Sequence, residues 1–212
     1  MSGSREDIGS LEIARTLVRA EAEAVAGVVE QLDERLLEAA RIILGSPGKV
    51  IPAGVGTSGE TARRMAHLLS VTGTPALFMH PTDGLHGGLG AIVPGDVVIA
   101  ISKGGQSSEL NEFARRVRLR GAAVIVLTCE ANSMLTEEGD VVVALNSPAS
   151  AEPGRLISMG STLAFAAWGD ALAMVLMQAR GYGWDEVLFT HPGGAVGQAA
   201  GPEHAKPEEV GA

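Results

Sequence analysis

Short apolar runs rich in valine and isoleucine alternate along this chain with stretches of helical character. The runs are KVIPAG (49–54), PALFMH (75–80), DVVIAIS (96–102), AAVIVLT (122–128) and DVVVAL (140–145). Helical periodicity occupies 58–71, 107–120 and a short stretch near 133–138. Continuous apolar strands that alternate with helices are typical of a parallel sheet covered on both faces. The pattern therefore predicts an α/β protein with a central parallel sheet.

Helices are also expected on either side of the strand region. The periodicity over 10–45 predicts a helical segment in which a second helix begins at Asp33, and a long helix at about 159–180 is followed by a short one at 183–190. The long helix is almost apolar enough to cross a bilayer, but Asp170 lies at its centre, where a charge costs roughly 2.5–3.5 kcal/mol. We therefore predict a buried helix at a subunit contact, and no membrane partner.

Charge and cysteine content argue against several classes of function. The 212 residues carry a net charge of −9 and contain no long basic run, which argues against a nucleic-acid partner. Cys129 is the single cysteine, which excludes a disulfide framework and favours a reducing cytoplasm. The N-terminal MSGSREDIGS has no apolar core, so we expect no signal peptide.

Three loops after predicted strands carry small and polar residues. In an open α/β sheet, ligands bind at the carboxyl ends of the strands, over the N-termini of the following helices. By this rule the candidate loops are GVGTSGE after the first run, SKGGQSSE after 96–102 and TCEANS after 122–128.

The stretch GVGTSGET (54–61) fits three phosphate-binding templates. A dinucleotide fingerprint needs an acid at the end of the second strand, where this chain reads MH. A P-loop needs a lysine where Glu60 stands. The third template is a turn that holds another anion at a helix N-terminus, and Ser107 and Ser108 in the next loop favour it because both can donate to a phosphate. Simple helix capping would also account for these serines.

Two acids and two histidines lie where proton transfer can use them. Glu109 is in the first turn of a predicted helix, where it would also favour the helix dipole. Glu152 lies in the loop SPASAEPGRL, in which an acid has no obvious structural role. His86 and His191 both lie in glycine-rich loops. Together these four residues favour general acid–base chemistry.

The polar loops and the long helix carry a resemblance to a known family. The matching stretches are GVGTSGETARRMAHLLSVTGTPALFMHP, LHGGLG, PGDVVIAISKGGQSSEL, GDALAMVLMQARGY and HPGGAVG. They resemble the sugar isomerase (SIS) domain and, within it, the arabinose-5-phosphate isomerase family. The resemblance implies a five-stranded parallel sheet in a three-layer αβα sandwich, flavodoxin-like, and a homotetramer with active sites between subunits. We expect a helical arm at 1–45, the SIS domain at 46–200 and a flexible tail at 201–212.

The resemblance also implies a reaction and a set of site residues. The reaction interconverts an aldose phosphate and a ketose phosphate through a cis-enediol, without a metal or other cofactor. The implied catalytic residues are Glu152, His191, Glu109 and His86. The implied phosphate- or substrate-binding residues are Gly56, Thr57, Ser58, Ser102, Gln106, Ser107, Ser161 and Thr162. We favour Glu152 as the base and His191 in ring opening, although the roles can be exchanged.

The chain departs from the family pattern at several positions. Thr57 replaces a lysine, Gly104 a serine, Gln106 a glutamate and Gly88 an aspartate. Loss of an active-site lysine removes charge that would stabilise an enediolate or a phosphate, and Lys103 or Arg155 is a candidate substitute. We also expect the chain to lack the CBS pair that often follows this domain. The alternatives to an isomerase are a non-catalytic sugar-phosphate sensor and a ligand-free scaffold.

Overall fold

The computed structural model describes residues 11–193, so the predicted tail lies outside the described part of the chain. The strands are β1 (Val50–Gly54), β2 (Val97–Ser102), β3 (Ala123–Thr128) and β4 (Val141–Ala144). The helices are α1 (Leu11–Ala26), α2 (Glu34–Gly45), α3 (Thr57–Val71), α4 (Pro81–Leu85), α5 (Ser108–Leu119), α6 (Gly160–Arg180) and α7 (Trp184–Thr190). Asp33 caps α2 by accepting a hydrogen bond from the Arg35 N–H at 3.0 Å, which is the helix start that the sequence predicts.

The four strands form one parallel sheet in the order β1-β2-β3-β4. Every residue of β1 and β2 is buried, as expected for strands covered on both faces. The register pairs Gly54 with Ile101 and Ser102 with Thr128, so the loops that follow β1, β2 and β3 leave the same edge of the sheet. The α/β class and the parallel sheet are therefore confirmed.

The expected count of five strands is wrong, because the PALFMH segment makes only part of a ladder with β1. The Val50 N–H donates to the Pro75 carbonyl at 2.8 Å, and the Leu77 and Met79 N–H groups donate to the carbonyls of Val50 and Pro52 at 3.1 and 3.2 Å. Pro52 has no N–H to donate in return, so the ladder is interrupted after a single bridge. With this segment on the outer side of β1, the order is still that of a flavodoxin-like sheet.

Helices cover the two faces of the sheet and complete three layers. One core contains β-strand side chains together with α2, α3 and α6, and its largest buried side chains are Phe165 and Trp168 of α6. The opposite core joins the other strand faces to α5 through Phe113. α1 packs along α6, and its Ala20 and Ala24 contact Ala151 in the loop after β4.

Helix α6 is the one described helix that is long and apolar enough to cross a membrane, but it is a core helix here. Its most apolar window is 56% buried inside the protein. The carboxylate of Asp170 accepts two hydrogen bonds from the Arg64 guanidinium, at 2.7 and 2.9 Å, which link α6 to α3. Its central charge is therefore paired with an arginine rather than exposed to an apolar medium.

Candidate functional site

The candidate site lies at the edge of the sheet where β1 and β2 end. The chain crosses from β1 to the PALFMH segment on one side and then returns to β2 on the other, so the strand order reverses at this point. Two helices begin there. α3 starts after Gly56, which has a φ of 59° and no side chain to cap the helix, and α5 starts after Ser107, whose hydroxyl caps nothing. The free N–H groups of the two first turns and the positive ends of both helix dipoles favour an anion at this edge.

Two glycines of GVGTSGET allow the turn between β1 and α3 to close tightly. A Cβ at Gly59 would lie 2.7 Å from the carbonyl oxygen of Gly54, and a Cβ at Gly54 would lie 2.9 Å from the Ser58 backbone. Neither position accommodates a side chain without moving the backbone. The close approach leaves Ser58 buried beside the end of β1.

The β2–α5 loop is held in place by its own polar groups. The Ser102 hydroxyl accepts a hydrogen bond from the Gly105 N–H at 3.1 Å, and the Asn111 side chain donates to the Gly105 carbonyl at 3.2 Å. Ser107 is half-buried, whereas Gln106 is exposed. Ser102 therefore shapes the loop, and Ser107 is the hydroxyl that remains available to a ligand.

Glu152 is buried and accepts four hydrogen bonds. Its Oε2 accepts from Lys103 Nζ at 2.8 Å and from the Met159 N–H at 3.3 Å. Its Oε1 accepts from the Ser161 N–H at 2.6 Å and from the Ser147 hydroxyl at 3.2 Å. Two of the donors are backbone N–H groups at the start of α6, so the carboxylate caps that helix. The expectation that this acid has no structural role is wrong.

The environment of Glu152 favours the carboxylate form. Burial by itself raises the pKa of Glu152, but the hydrogen bond from Lys103, those from Ser161 and the charge of Lys103 outweigh it, so the pKa lies below its ordinary value. The Ser161 hydroxyl lies close enough to contribute, although it does not complete a hydrogen bond of good geometry. Glu152 is therefore ionised at neutral pH.

A cavity of about 500 Å³ adjoins this edge and is bounded by α1, α3 and α6. Thr57 at the start of α3 and Thr162 in the first turn of α6 both line it. The Arg64–Asp170 pair lies in its wall. Since Ser161 and Thr162 are adjacent, the cavity connects Thr57 with the helix start that Glu152 caps.

Within the described chain, no hydrogen bond joins the Glu152 carboxylate to the remaining predicted acid or histidines. Glu109 is exposed in the first turn of α5, where the Ser108 hydroxyl donates to it at 3.2 Å. His86 is exposed after α4, which packs on α5 through Gly84 and Phe113, on the opposite side of the sheet from α6.

His191 follows the far end of α6. The 21 residues of α6 span about 30 Å, and α6 ends beside the C-terminus of α3, where Arg180 donates to Thr74 and Tyr182 packs on Gly73. α7 adds only 7 residues, about 10 Å of helix, before His191. The His191 ring is hydrogen-bonded to the Val187 carbonyl at 2.7 Å. Within one chain, His191 is therefore remote from Glu152.

Two partners of Glu152 were not identified as such from the sequence. Ser147 lies 5 residues before Glu152, and a hydroxyl in the same polar loop was the available signal. Lys103 lies 49 residues away, and the sequence indicates it only as a candidate replacement for the lysine that is absent at Thr57. No group of three or more histidine, cysteine or acidic side chains within residues 11–193 is placed to hold a metal ion.

Comparison with known proteins gives the relationship of the chain. Arabinose 5-phosphate isomerase GutQ of Salmonella typhi is 36% identical over 187 residues, which are 88% of this chain and 58% of GutQ. Arabinose 5-phosphate isomerase KdsD of Pseudomonas aeruginosa is 31% identical over 193 residues, 91% of this chain and 59% of KdsD. The chain thus spans somewhat more than half the length of these curated relatives.

The fold is similar to that of a solved protein, and the central part of the chain matches a family. The Escherichia coli CFT073 protein c3406 superimposes with a TM-score of 0.82 at 28% identity, over 86% of this chain and 97% of that one. Residues 43–175 match the SIS domain. Because this match covers most of the described sheet and its helices, the chain belongs to the SIS domain family.

Proposed function

We propose that this protein is a sugar-phosphate isomerase that interconverts an aldose phosphate and a ketose phosphate, with arabinose 5-phosphate and ribulose 5-phosphate as the first pair to test. The observation that supports this most directly is the buried Glu152 carboxylate, which is paired with Lys103 of the β2–α5 loop, at the sheet edge where α3 and α5 begin without side-chain caps. A base next to an anion site is what proton transfer on a phosphorylated substrate requires.

The phosphate binds, in this proposal, between the starts of α3 and α5. The N–H groups of Thr57 and Ser58 and the hydroxyls of Ser58 and Ser107 would donate to its oxygens. Thr162 lines the cavity shared with Thr57 and would contact the sugar. Gly56, Ser102, Gln106 and Ser161 belong to the turns that shape this surface.

Glu152 acts as the base in the proposed reaction. In the open-chain aldose, it takes the proton from C2, and the electron pair of that C–H bond forms the C1–C2 double bond while the carbonyl oxygen at C1 becomes the enediolate oxygen. A proton moves between the two oxygens, and Glu152 returns its proton to C1 to give the ketose. A histidine that moves a proton between the ring oxygen and the anomeric hydroxyl would open the sugar first.

A second copy of the chain is expected to complete the site. His191 is too far from Glu152 to act with it in one chain, and His86 lies on the other side of the sheet. Large apolar side chains are exposed on α1 and α6, including Val18, Leu163 and Met174, which is typical of a subunit contact. We propose a cytoplasmic homotetramer in which neighbouring copies supply the histidines.

The reaction is tested by hydrogen exchange in deuterated water with a panel of pentose and hexose phosphates. The proposal expects solvent deuterium at C2 of the aldose or C1 of the ketose and interconversion of one pair. An absence of exchange with every sugar phosphate would contradict it.

A non-catalytic sugar-phosphate sensor is the second candidate, favoured by the absence of the family lysine at Thr57 and of the glutamate at Gln106. It predicts binding of sugar phosphates without exchange. A thermal shift of the unfolding midpoint measures binding, because a ligand at 100 times its Kd stabilises by about 2.7 kcal/mol. A shift without exchange would favour the sensor over the isomerase, and neither shift nor exchange would favour the scaffold.

A further inference from the structure

The hydrogen bonds to Glu152 leave this carboxylate no free position for a substrate proton. A carboxylate has about four lone-pair positions, and the donors from Lys103, Met159, Ser147 and Ser161 occupy two on each oxygen. If Glu152 is to act as a base, one donor must leave. The Met159 and Ser161 donors are backbone groups fixed in the start of α6 and cannot do so without unwinding the helix.

Ser147 is the other side-chain donor, but its hydroxyl is attached to a short side chain, so Lys103 is the donor that can reach a different partner. Its ammonium sits on a flexible side chain that is 29% exposed, whereas the Glu152 side chain is 5% exposed. Lys103 belongs to the same β2–α5 loop as Ser107, and its backbone is fixed because its carbonyl accepts hydrogen bonds from the Cys129 N–H at 2.9 Å and the Thr128 hydroxyl at 3.1 Å. The side chain can therefore change partner while the loop stays in place.

We propose that Lys103 pairs with Glu152 until a sugar phosphate binds, and that it then moves to the phosphate and frees one oxygen of Glu152 to take the proton. This inference rests on the proposed isomerase function and assigns it a trigger. It also gives the site a cation on the loop after β2 in place of the lysine that is absent at Thr57. Ligand binding would thereby convert a helix-capping carboxylate into a stronger base.

Few other titratable groups surround the pair. Cys129 and Glu130 lie at the end of β3, and Arg155 follows in the Glu152 loop, where its N–H donates to the Glu152 carbonyl at 2.7 Å. Burial and the charge of Glu152 raise the pKa of Cys129 to about 11, so this thiol does not titrate in the acidic range. A titration of Glu152 therefore reports chiefly on Lys103 and the ligand.

The direct test is a carbon-13 NMR titration of the Glu152 carboxyl carbon, assigned by its absence in Glu152→Gln. It is run without ligand, with saturating inorganic phosphate and with saturating arabinose 5-phosphate, on the wild type and on Lys103→Met. The negative phosphate raises the pKa of Glu152 in both proteins, but only the wild type also loses Lys103. We expect ligand binding to raise the pKa of Glu152 by at least about one unit more in the wild type than in Lys103→Met, which is a tenfold larger increase in proton affinity.

Matched variants separate this role from a structural one. Lys49 forms a similar pair with the buried Asp96 at the opposite edge of the sheet, with side chains 27% and 1% exposed, so Lys49→Met should keep the wild-type difference. Lys103→Arg keeps the charge and should largely restore the wild-type rise in the pKa of Glu152. It therefore tests the proposal even where Lys103→Met fails to fold. An equal rise of the Glu152 pKa in the wild type and in Lys103→Met would overturn the proposal. A Ser147→Ala protein that keeps Lys103 but shows only the small rise of Lys103→Met would also overturn it.

The kinetic counterpart uses the pH profiles of kcat/KM and kcat, which report on the free protein and the bound complex, respectively. In the wild type the acidic limb of kcat should lie at higher pH than that of kcat/KM. In Lys103→Met the separation between the two limbs should be smaller, because only the charge of the bound phosphate then raises the pKa of Glu152. Coincident limbs in an active wild type would contradict only the Lys103 proposal. A protein that binds neither phosphate nor any sugar phosphate of the panel would contradict the proposed function as well.

Discussion

At the scale of single residues, Glu152 combines a structural and a proposed chemical role. It caps α6 through two backbone N–H groups and forms an ion pair with Lys103. The cap holds the carboxylate in one orientation, so the same contacts that stabilise the helix fix the direction in which the base points. A substitution at this position therefore affects stability as well as chemistry, and the two effects need separate measurements.

We predict that Glu152→Gln lowers kcat by about 10²–10⁴-fold, the range for loss of a general base. The amide keeps the size of the side chain but cannot accept a proton from carbon. Binding of the sugar phosphate, measured by thermal shift, should survive. Glu38→Gln, which removes an exposed carboxylate of α2, is the matched control. A Glu152→Gln protein with near wild-type kcat would show that another group is the base.

Cys129 is predicted to react slowly with alkylating reagents. With a pKa of about 11, its thiolate fraction at pH 8 is about 240-fold smaller than that of a free cysteine with a pKa near 8.5. The greater nucleophilicity of a high-pKa thiolate recovers only about tenfold. We expect iodoacetamide to modify the native protein at least about 10-fold more slowly than the unfolded chain.

The same thiol reports on its charged neighbours. The negative charge of Glu152 raises the pKa of Cys129 and the positive charge of Lys103 lowers it. Glu152→Gln should therefore accelerate the alkylation of folded protein, and Lys103→Met should slow it. Opposite signs would mean that these groups do not lie beside Cys129 in solution.

At the scale of secondary-structure elements, two lysine–carboxylate pairs hold opposite edges of the sheet. At the N-terminal edge, Asp96 accepts from Lys49 Nζ at 2.7 Å, the Lys49 N–H at 3.0 Å and the Val93 N–H at 2.9 Å. These contacts connect the chain before β1 to the chain before β2. At the C-terminal edge, the Lys103–Glu152 pair connects the β2–α5 loop to the start of α6.

We predict that Asp96→Asn lowers the free energy of unfolding by about 3 kcal/mol near neutral pH, as expected when one partner of a buried ion pair is lost. Burial raises the pKa of Asp96, but the hydrogen bonds from Lys49 and Val93 outweigh it and the pKa lies below its ordinary value. The stabilisation is therefore fully present above the unfolded pKa of about 3.9 and is lost as the pH falls through the folded pKa.

Urea denaturation between pH 3 and pH 7 checks this prediction. The difference between the wild type and Asp96→Asn should be constant from about pH 7 to pH 5 and should shrink below about pH 4. Glu38→Gln, which changes an exposed carboxylate of α2, should leave the neutral-pH stability within about 0.5 kcal/mol of the wild type. A difference that grows on acidification would contradict the assignment.

The β1–α3 turn gives the second prediction at this scale. We expect Gly59→Ala to destabilise the fold by about 2 kcal/mol or more, because the added Cβ would lie 2.7 Å from the Gly54 carbonyl oxygen. The backbone must move to relieve the contact, and Ser58 moves with it, so phosphate affinity should fall too. Gly45→Ala is the control, since a Cβ there meets nothing within 4 Å. Wild-type stability in Gly59→Ala would contradict the close approach.

At the scale of the whole molecule, the separation of His191 from Glu152 is the strongest constraint on assembly. We predict that co-expression of Glu152→Gln with His191→Ala restores about one quarter of the wild-type activity. In a random mixture, half of the copies carry an intact Glu152 and the other half an intact His191. A site built from two copies therefore contains both intact residues in about one quarter of cases. Each variant alone should be nearly inactive, and a mixture as inactive as its components would mean that the two residues do not act across an interface.

How far the sequence predicts the fold depends on how local the governing interactions are. Alternating apolar runs and helices predicted all four strands and the long helix, because strand burial and helix periodicity are written into neighbouring residues. The start of α2 at Asp33 was likewise predicted from a capping residue. The prediction of a fifth strand at PALFMH was wrong because the residue that interrupts its pairing, Pro52, lies in β1 and not in the PALFMH segment itself.

The candidate site divides in the same way. The glycine turn and the serine loop were recognisable because each is a short stretch with its own backbone geometry. The structural role of Glu152 was missed, since its partners Lys103 and Ser161 lie 49 and 9 residues away and only the sheet brings the first of them close.

The sequence by itself determined the α/β class, the order of its elements, the loops at the carboxyl ends of the strands and the likeness to SIS domains. These follow from periodicity and from short motifs, which are properties of adjacent residues. Only the tertiary structure decided that Lys103 faces Glu152, that the same carboxylate caps α6, and that the length of α6 separates this carboxylate from the segment that contains His191. Those relations depend on how distant segments pack around one sheet, and no local pattern specifies them.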